Sequence, residues 1–290
     1  MEFIMRIFNR CLWPLRLIMS VALLIAVGLS MDAVAVSKSA GANIKTNYWS
    51  FWDQSNESNA ASIDHGSFDK LLATYVIVDH PSGINRFRYA DVSSGDSKKL
   101  RRYIAGLARL DPRDYSRKEQ KAYWLNLYNA LMLRSVLGDY PVKSLAMDAI
   151  KGKNLIRVAG VKLSLEDIEN RILRPLWQDK KIIFGLSCAA LSCPNIQQQA
   201  FTSVNSKQLL ERSVREFINH PRGVHLKNKQ LETSQIFAWY GQDFGSDKKM
   251  IKFFAHYAED MKALYLLGFR GEIAYSFDSR LNAPETRWSP

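Results

Sequence analysis

Apolar positions along this chain recur mostly at helical spacing. Phe68, Leu71, Leu72 and Tyr75 share one face of a helix that Asp64 or Ser67 can cap. Leu100, Ile104, Leu107 and Leu110 make one stripe along 98–110, ended by Asp111-Pro112. The longest helical pattern runs over 117–137. Shorter ones cover 165–173 and 206–218, and further helices span 246–266. Strand-like stretches are fewer. His80-Pro81-Ser82-Gly83 reads as a turn leading into a strand over 84–92, and 155–165 reads as a hairpin about Ala159-Gly160. The run 182–186 reads as a short buried strand, 223–226 and 230–233 as a second hairpin, and 272–277 as a last strand. Together these predict an α+β fold, a predominantly helical single domain around small antiparallel sheets.

The amino terminus follows a different pattern. Arg6, Arg10 and Arg16 precede fifteen uncharged residues, 17–31, and then Ala33-Val34-Ala35. A basic start, a short apolar run and a small-x-small exit describe a secretory signal peptide over 1–35. The alternative is an inner-membrane anchor through 17–31. As a helix that run would reach only about 22 Å, against the roughly 30 Å of a hydrocarbon core. The expectation is therefore export to the periplasm. Residues 36–62, rich in Ser, Asn and Ala, read as a linker, with Tyr48-Trp49-Ser50-Phe51-Trp52 as an aromatic anchor packing onto the domain.

Composition narrows the classes. With 47% hydrophobic residues in 290, the chain is neither disordered nor fibrous. Three cysteines are too few for a disulfide scaffold. Loss of 1–35 removes three arginines and two carboxylates from a formal +12, leaving +11. Outside the cytoplasm such a charge points away from nucleic acid and toward weak association with an anionic membrane surface, or simply to a solvated basic face.

Two stretches could carry chemistry. The helix Ala122-Tyr123-Trp124-Leu125-Asn126-Leu127-Tyr128-Asn129-Ala130 is apolar all round, so it is buried on every side, yet Asn126 and Asn129 sit three apart on one face. Buried amides must be satisfied. They either clamp the backbone of a neighbouring loop or line a polar pocket. The second stretch is Ser187-Cys188-Ala189-Ala190-Leu191-Ser192-Cys193-Pro194-Asn195. A loop could bring its two sulfurs to disulfide distance. A short-loop disulfide, two inert buried thiols and one activated nucleophile all stay open. Cys188-x4-Cys193 with His220-x4-His225 has finger-like spacing within each pair, but the gap between the pairs is too long for a zinc finger, so no metal is expected. No phosphate loop, Gly-x-Ser-x-Gly elbow or His-Glu-x-x-His occurs, and no cofactor is expected. Asp243, in Trp239-Tyr240-Gly241-Gln242-Asp243-Phe244, reads as a cap or salt-bridge partner ahead of a catalytic acid.

Several ordered motifs resemble the family called domain of unknown function 547. They are Ile63-Asp64-His65, Pro81-Ser82-Gly83, Tyr123 to Ala130, Leu165-Glu166-Asp167-Ile168-Glu169 with Ile172-Leu173-Arg174-Pro175, and Cys188 with Ser192-Cys193-Pro194-Asn195. Asn219-His220-Pro221-Arg222-Gly223-Val224 and Trp239-Tyr240-x-x-Asp243-Phe244 complete the set. The resemblance spans about 49–257 and implies an exported bacterial member, with the family domain over 63–258 and a C-terminal helix, strand and tail over 259–290. It supplies no reaction. Asn170 and Ile183 stand where family members often carry histidine.

Three functions follow as expectations. The first is a binding domain that takes a peptide or small polar ligand between the Asn-bearing helix and the Cys-x4-Cys-Pro loop, with Asn126, Tyr128, Asn129 and Trp239 as ligand contacts. The second is a thiol-dependent hydrolase or acyltransferase, distantly similar to papain-like or transglutaminase-like folds. There Cys188 or Cys193 would be nucleophile, His65 or His220 base, and Asp243 or Asn129 orienter. The third is a purely structural envelope factor. The absent histidines favour binding over catalysis.

Overall fold

A computed structural model describes residues 46–146, 150–227 and 230–288. The predicted signal peptide over 1–35 and the alternative anchor at 17–31 lie outside these residues. Among the described residues no helix is long and apolar enough to cross a membrane.

Helix α1 (Gly66–Tyr75) leads into a two-stranded ribbon, β1 (Val76–Ile77) with β2 (Arg86–Phe87), paired antiparallel. The predicted strand over 84–92 is thus cut short. Ile84, Asn85, Arg86 and Phe87 are all buried, so no in-out alternation operates, and the chain turns into a 3₁₀ turn at Tyr89–Asp91. Helix α2 (Ser94–Ala108), N-capped by Ser93, packs on α3 (Arg117–Asp139), which is N-capped by Ser116. Residues Ala122 to Leu133 of α3 are buried without a break. It forms the axis of the larger core.

The hairpin of β3 (Ile156–Val158) and β4 (Val161–Leu163) precedes a stretch of wide π-type turns, Asp167–Leu173, which runs into the short helix α4 (Arg174–Trp177). Two carbonyls of the wide stretch, Asn170 and Arg171, accept from the N–H groups of Asn47 and Trp49 at 3.0 and 3.2 Å. The anchor segment is therefore stitched to the domain by its backbone. Its rings follow: Trp52 is buried edge-on against Trp124 at 5.0 Å, and the Arg171 guanidinium lies 3.7 Å over Trp49.

Residues 182–186 form a 3₁₀ turn, Ile182–Gly185, where a strand was expected. A short apolar run specifies burial and leaves the backbone conformation to its neighbours. The second core gathers around α5 (Ser206–Asn219), β5 (Val224–Lys227), β6 (Gln230–Ser234), the short helices α6 (Ile236–Trp239) and α7 (Gly241–Phe244), then α8 (Asp247–Tyr257) and α9 (Asp260–Gly268). The last strand, β7 (Ile273–Ser276), pairs with β6 in parallel, Leu231 opposite Ile273, so this sheet is mixed and not wholly antiparallel. Gly223 turns α5 into β5, and a Cβ there would lie 1.9 Å from the carbonyl oxygen of Phe217. Only glycine fits this corner, and the corner sets where His220 and Arg222 stand.

Candidate functional site

The Cys loop has almost no regular structure, yet residues 182–197 are buried one after another. Buried backbone groups need partners, and α3 supplies them from behind. The Asn129 amide donates to the Gly185 carbonyl at 2.8 Å and accepts from the Ser187 N–H at 2.8 Å. Asn126 does the same one turn away, donating to the Phe201 carbonyl at 2.7 Å and accepting from its N–H at 2.9 Å. Each side chain imitates one rung of a β-ladder. Of the two sequence readings, the geometry is that of the clamp. Asn126, wholly buried with both ends of its amide engaged, offers nothing to a ligand.

Between these clamps Cys188 and Cys193 are joined by a disulfide, with Cα atoms 5.6 Å apart. In this state neither sulfur is a nucleophile. Ala189, beside the bond, is held at φ 59°, a region that costs a non-glycine residue on the order of 1 kcal/mol. The front of the loop is covered by the C-terminal segment. Leu191 N–H donates to the Arg280 carbonyl at 2.8 Å, Asn282 N–H to that of Ala189 at 2.9 Å, and Asp278 N–H to Ser192 Oγ at 2.7 Å. Asn195 closes the loop: its Oδ1 accepts from the Asn85 N–H at 2.9 Å and from Arg222 Nη2 at 2.5 Å.

The other candidates lie elsewhere. His65 precedes α1, buried, with Nδ1 2.6 Å from the Tyr103 hydroxyl, and burial pulls its pKa down to about 4. His220 is also held near 4 by burial and by the Arg222 charge, and its Nε2 lies 2.7 Å from the Ser82 carbonyl oxygen. Both are neutral imidazoles at pH 7. No hydrogen bond joins either ring, or Asp243, to a sulfur among the described residues. Asp243 receives a two-pronged bond from Arg174 at 2.8 and 2.9 Å, which makes it a salt-bridge partner. The Trp239 ring packs against Phe277 at 4.8 Å. Of the expected ligand contacts, Asn126 and Asn129 are engaged with backbone groups and Tyr128 with Glu169.

Tyr128 belongs to a buried network that sequence reasoning missed. Glu169 is its centre. One carboxylate oxygen accepts from Lys151 Nζ at 2.8 Å and from the Tyr128 hydroxyl at 3.3 Å, and the other takes a short hydrogen bond from Tyr240. Burial works against the Lys151 ammonium, but Glu169 and the two phenols outweigh it and hold its pKa well above the ordinary value. Glu169 likewise stays below its ordinary value despite burial, because Lys151 lies against it. Nearby, Asn170 accepts from Arg174 Nη1 at 2.7 Å, while Ile183 packs into the second core. Asn170 and Ile183 thus serve structure in this chain. A surface cavity of about 660 Å³ opens beside Arg174 and Asp243, also lined by Asp53 and Asp179. The carboxylates facing it are already paired, with Arg174, Arg117 and Lys121.

Among the described residues no three His, Cys, Asp or Glu side chains gather as a metal site. The two finger-like pairs accordingly do not converge: His225 lies in β5, and the cysteines bind each other.

The class of object is now defined: an α+β domain built around a buried, doubly clamped disulfide loop. Residues 112–218 match the family described as Protein of unknown function, DUF547, and the chain carries a domain of that family. The matched stretch takes in α3, Glu169 and both cysteines, and stops short of the Asn219 turn and the Trp239-Tyr240 motif. No curated protein and no solved structure matches the chain.

Asn129→Ala should cost about 2–5 kcal/mol in urea unfolding, because it strands one buried carbonyl and one buried N–H at roughly 1–3 kcal/mol each. The pH response has a definite sign. His65 is held below its unfolded pKa, so its contribution is complete above about pH 6.5 and is lost as pH falls toward 4. Urea midpoints should therefore fall between pH 6.5 and 4, by up to about 3 kcal/mol from His65. His65→Asn, which keeps a polar atom facing Tyr103, should flatten that part of the slope.

Proposed function

We propose that this protein is an exported, non-catalytic binding domain of the cell envelope that holds a peptide or small polar ligand against its disulfide loop. The observation that carries this reading is the double clamp. Two asparagines each give one donor and one acceptor to fixing one irregular buried stretch, which serves the shape of that stretch and not a reacting group. The bonded sulfurs, the neutral imidazoles that touch neither of them, and Asn170 and Ile183 at the histidine positions all weigh against thiol catalysis. A disulfide also suits an oxidising compartment, in keeping with the basic, apolar and small-residue order of residues 1–35.

The ligand face lies at the edge of the loop left between α3 and the covering C-terminal segment, where Asn195 meets the turn after α5 and the ribbon of β1 and β2. A second contact is favoured by one observation. Met261, Leu264 and Leu267 on α9 are 79%, 67% and 55% exposed on a chain of formal charge +12, which suits a weak hold on an anionic membrane surface.

Protein recovered from the periplasm should have the intact mass of a chain cut after Ala35 and lacking two hydrogens, with no thiol titratable after unfolding. Two free thiols, one alkylated rapidly at about pH 6.5, would restore the enzyme reading. The low-molecular-weight fraction of an envelope extract should shift backbone amide signals of residues 187–197, and an unchanged spectrum would end the binding reading. Vesicles rich in phosphatidylglycerol should sediment the protein, zwitterionic vesicles should not, and Leu264→Glu should release it.

A further inference from the structure

Two buried arginines stand beside the Cys loop, and among the described residues neither has a carboxylate within ion-pair distance. Arg86, in β2, is fully buried and follows Asn85, whose N–H donates to Asn195. Its Nη2 donates to Ser82 Oγ at 3.0 Å, while Nε and Nη1 have no acceptor among the described residues. Arg222, in the turn after α5, is 5% exposed. Its Nη1 donates to the Leu191 carbonyl at 3.3 Å and its Nη2 to Asn195, and its Nε too is unpartnered. A short chain of bonds joins them. His220 Nε2 donates to the Ser82 carbonyl at 2.7 Å, and His220 Nδ1 accepts from the Arg222 backbone N–H at 3.1 Å.

The surrounding acids are spoken for. Asp278 is bonded two-pronged to Arg280, and Glu216 accepts from Asn195 and faces Arg212. Asp278 and Glu285 act on Arg86, and Glu216 on Arg222, only through space. Burial and Arg86 nonetheless pull the Arg222 pKa down to about 9, still cationic at pH 7. Buried charge without a contacting counter-ion is costly. If these side chains served only to tie loops together, an amide would form the same bonds without charge repulsion. Unspent N–H donors on planar forks match the oxygens of a carboxylate or phosphate, which a guanidinium grips with two parallel bonds.

We propose that Arg86 and Arg222 are the anion-recognition element of this domain and take the oxyanion group of a small ligand between the β1–β2 ribbon and the Cys loop. This rests on the binding role proposed above and adds the chemical class of the ligand. Ser82 and the His220 ring, with the Trp288 ring tilted against it at 4.7 Å, form the rim of the same corner.

The test is calorimetric titration and thermal unfolding of the purified protein with inorganic phosphate, acetate or succinate, each against chloride at equal ionic strength. Saturable binding with a raised midpoint is expected for at least one of these anions. A response to phosphate alone assigns a phosphate-bearing ligand, and a response to acetate or succinate alone assigns a carboxylate. Arg86→Met should weaken binding about tenfold or more without lowering the midpoint of the anion-free protein, since it relieves repulsion. Arg222→Lys keeps the charge but loses the fork, and should weaken binding several-fold. It serves if Arg86→Met fails to fold. No response beyond that to chloride, or an equal response in both variants, overturns the inference. If the envelope fraction still shifts the loop signals in that case, binding stands and only the anion assignment falls. If it does not, both fall.

Discussion

The requirement that every buried peptide group find a hydrogen-bond partner governs this domain. Residues 182–197 carry the Cys loop through the interior without a helix or a sheet to satisfy it. The solution is side-chain mimicry of a backbone. An asparagine amide presents one donor and one acceptor in the plane of a peptide, so Asn126 and Asn129 on a rigid helix can substitute for two rungs of a missing strand. Position follows from that. The disulfide, the left-handed Ala189 and the orientation of Asn195 all depend on where α3 holds the backbone on either side of them.

Charge is buried in two contrasting ways. Around Glu169, one carboxylate, one ammonium and two phenols saturate each other, and the Arg174–Asp243 pair beside them is equally complete. Such a cluster fixes the junction of the wide turns with α7 and with the residues near Lys151. It has no valence left. At the other edge of the loop, Arg222 bonds the Asn195 carboxamide oxygen and Arg86 the Ser82 hydroxyl, and several of their donors remain unspent. The first arrangement is what a structural role needs and the second is what it does not explain. Depth of burial does not separate the two; completeness of pairing does.

Much of the architecture was legible in local pattern. The all-round apolarity of 122–133 announced an axial helix, the three-residue spacing of its asparagines announced a shared target, and both hairpins stood out by their turns. What escaped was whatever depends on residues far away in the chain. Arg86 read only as part of a strand over 84–92, while the partners around it are Ser82, the Asn282 region bonded to Phe87, and the loop a hundred residues on bonded to Asn85. The parallel pairing of β7 with β6 has no signature in either segment. Glu169 and Arg222 were noticed only as members of motifs, because their partners Lys151, Tyr240 and Asn195 are assembled by the fold.

Residues 278–283 lie across the Cys loop, bonded to Ala189, Leu191 and Ser192, to Phe87 and to Lys143. They come late in the chain, after every element they touch. Cys188 and Cys193 are consequently 8% and 2% exposed, walled by α3 on one side and by this late segment on the other. Release of the segment from Ala189, Leu191 and Ser192 is what would open the sulfurs to a reductant, so the reducibility of the bond is tied to the docking of the chain's last residues.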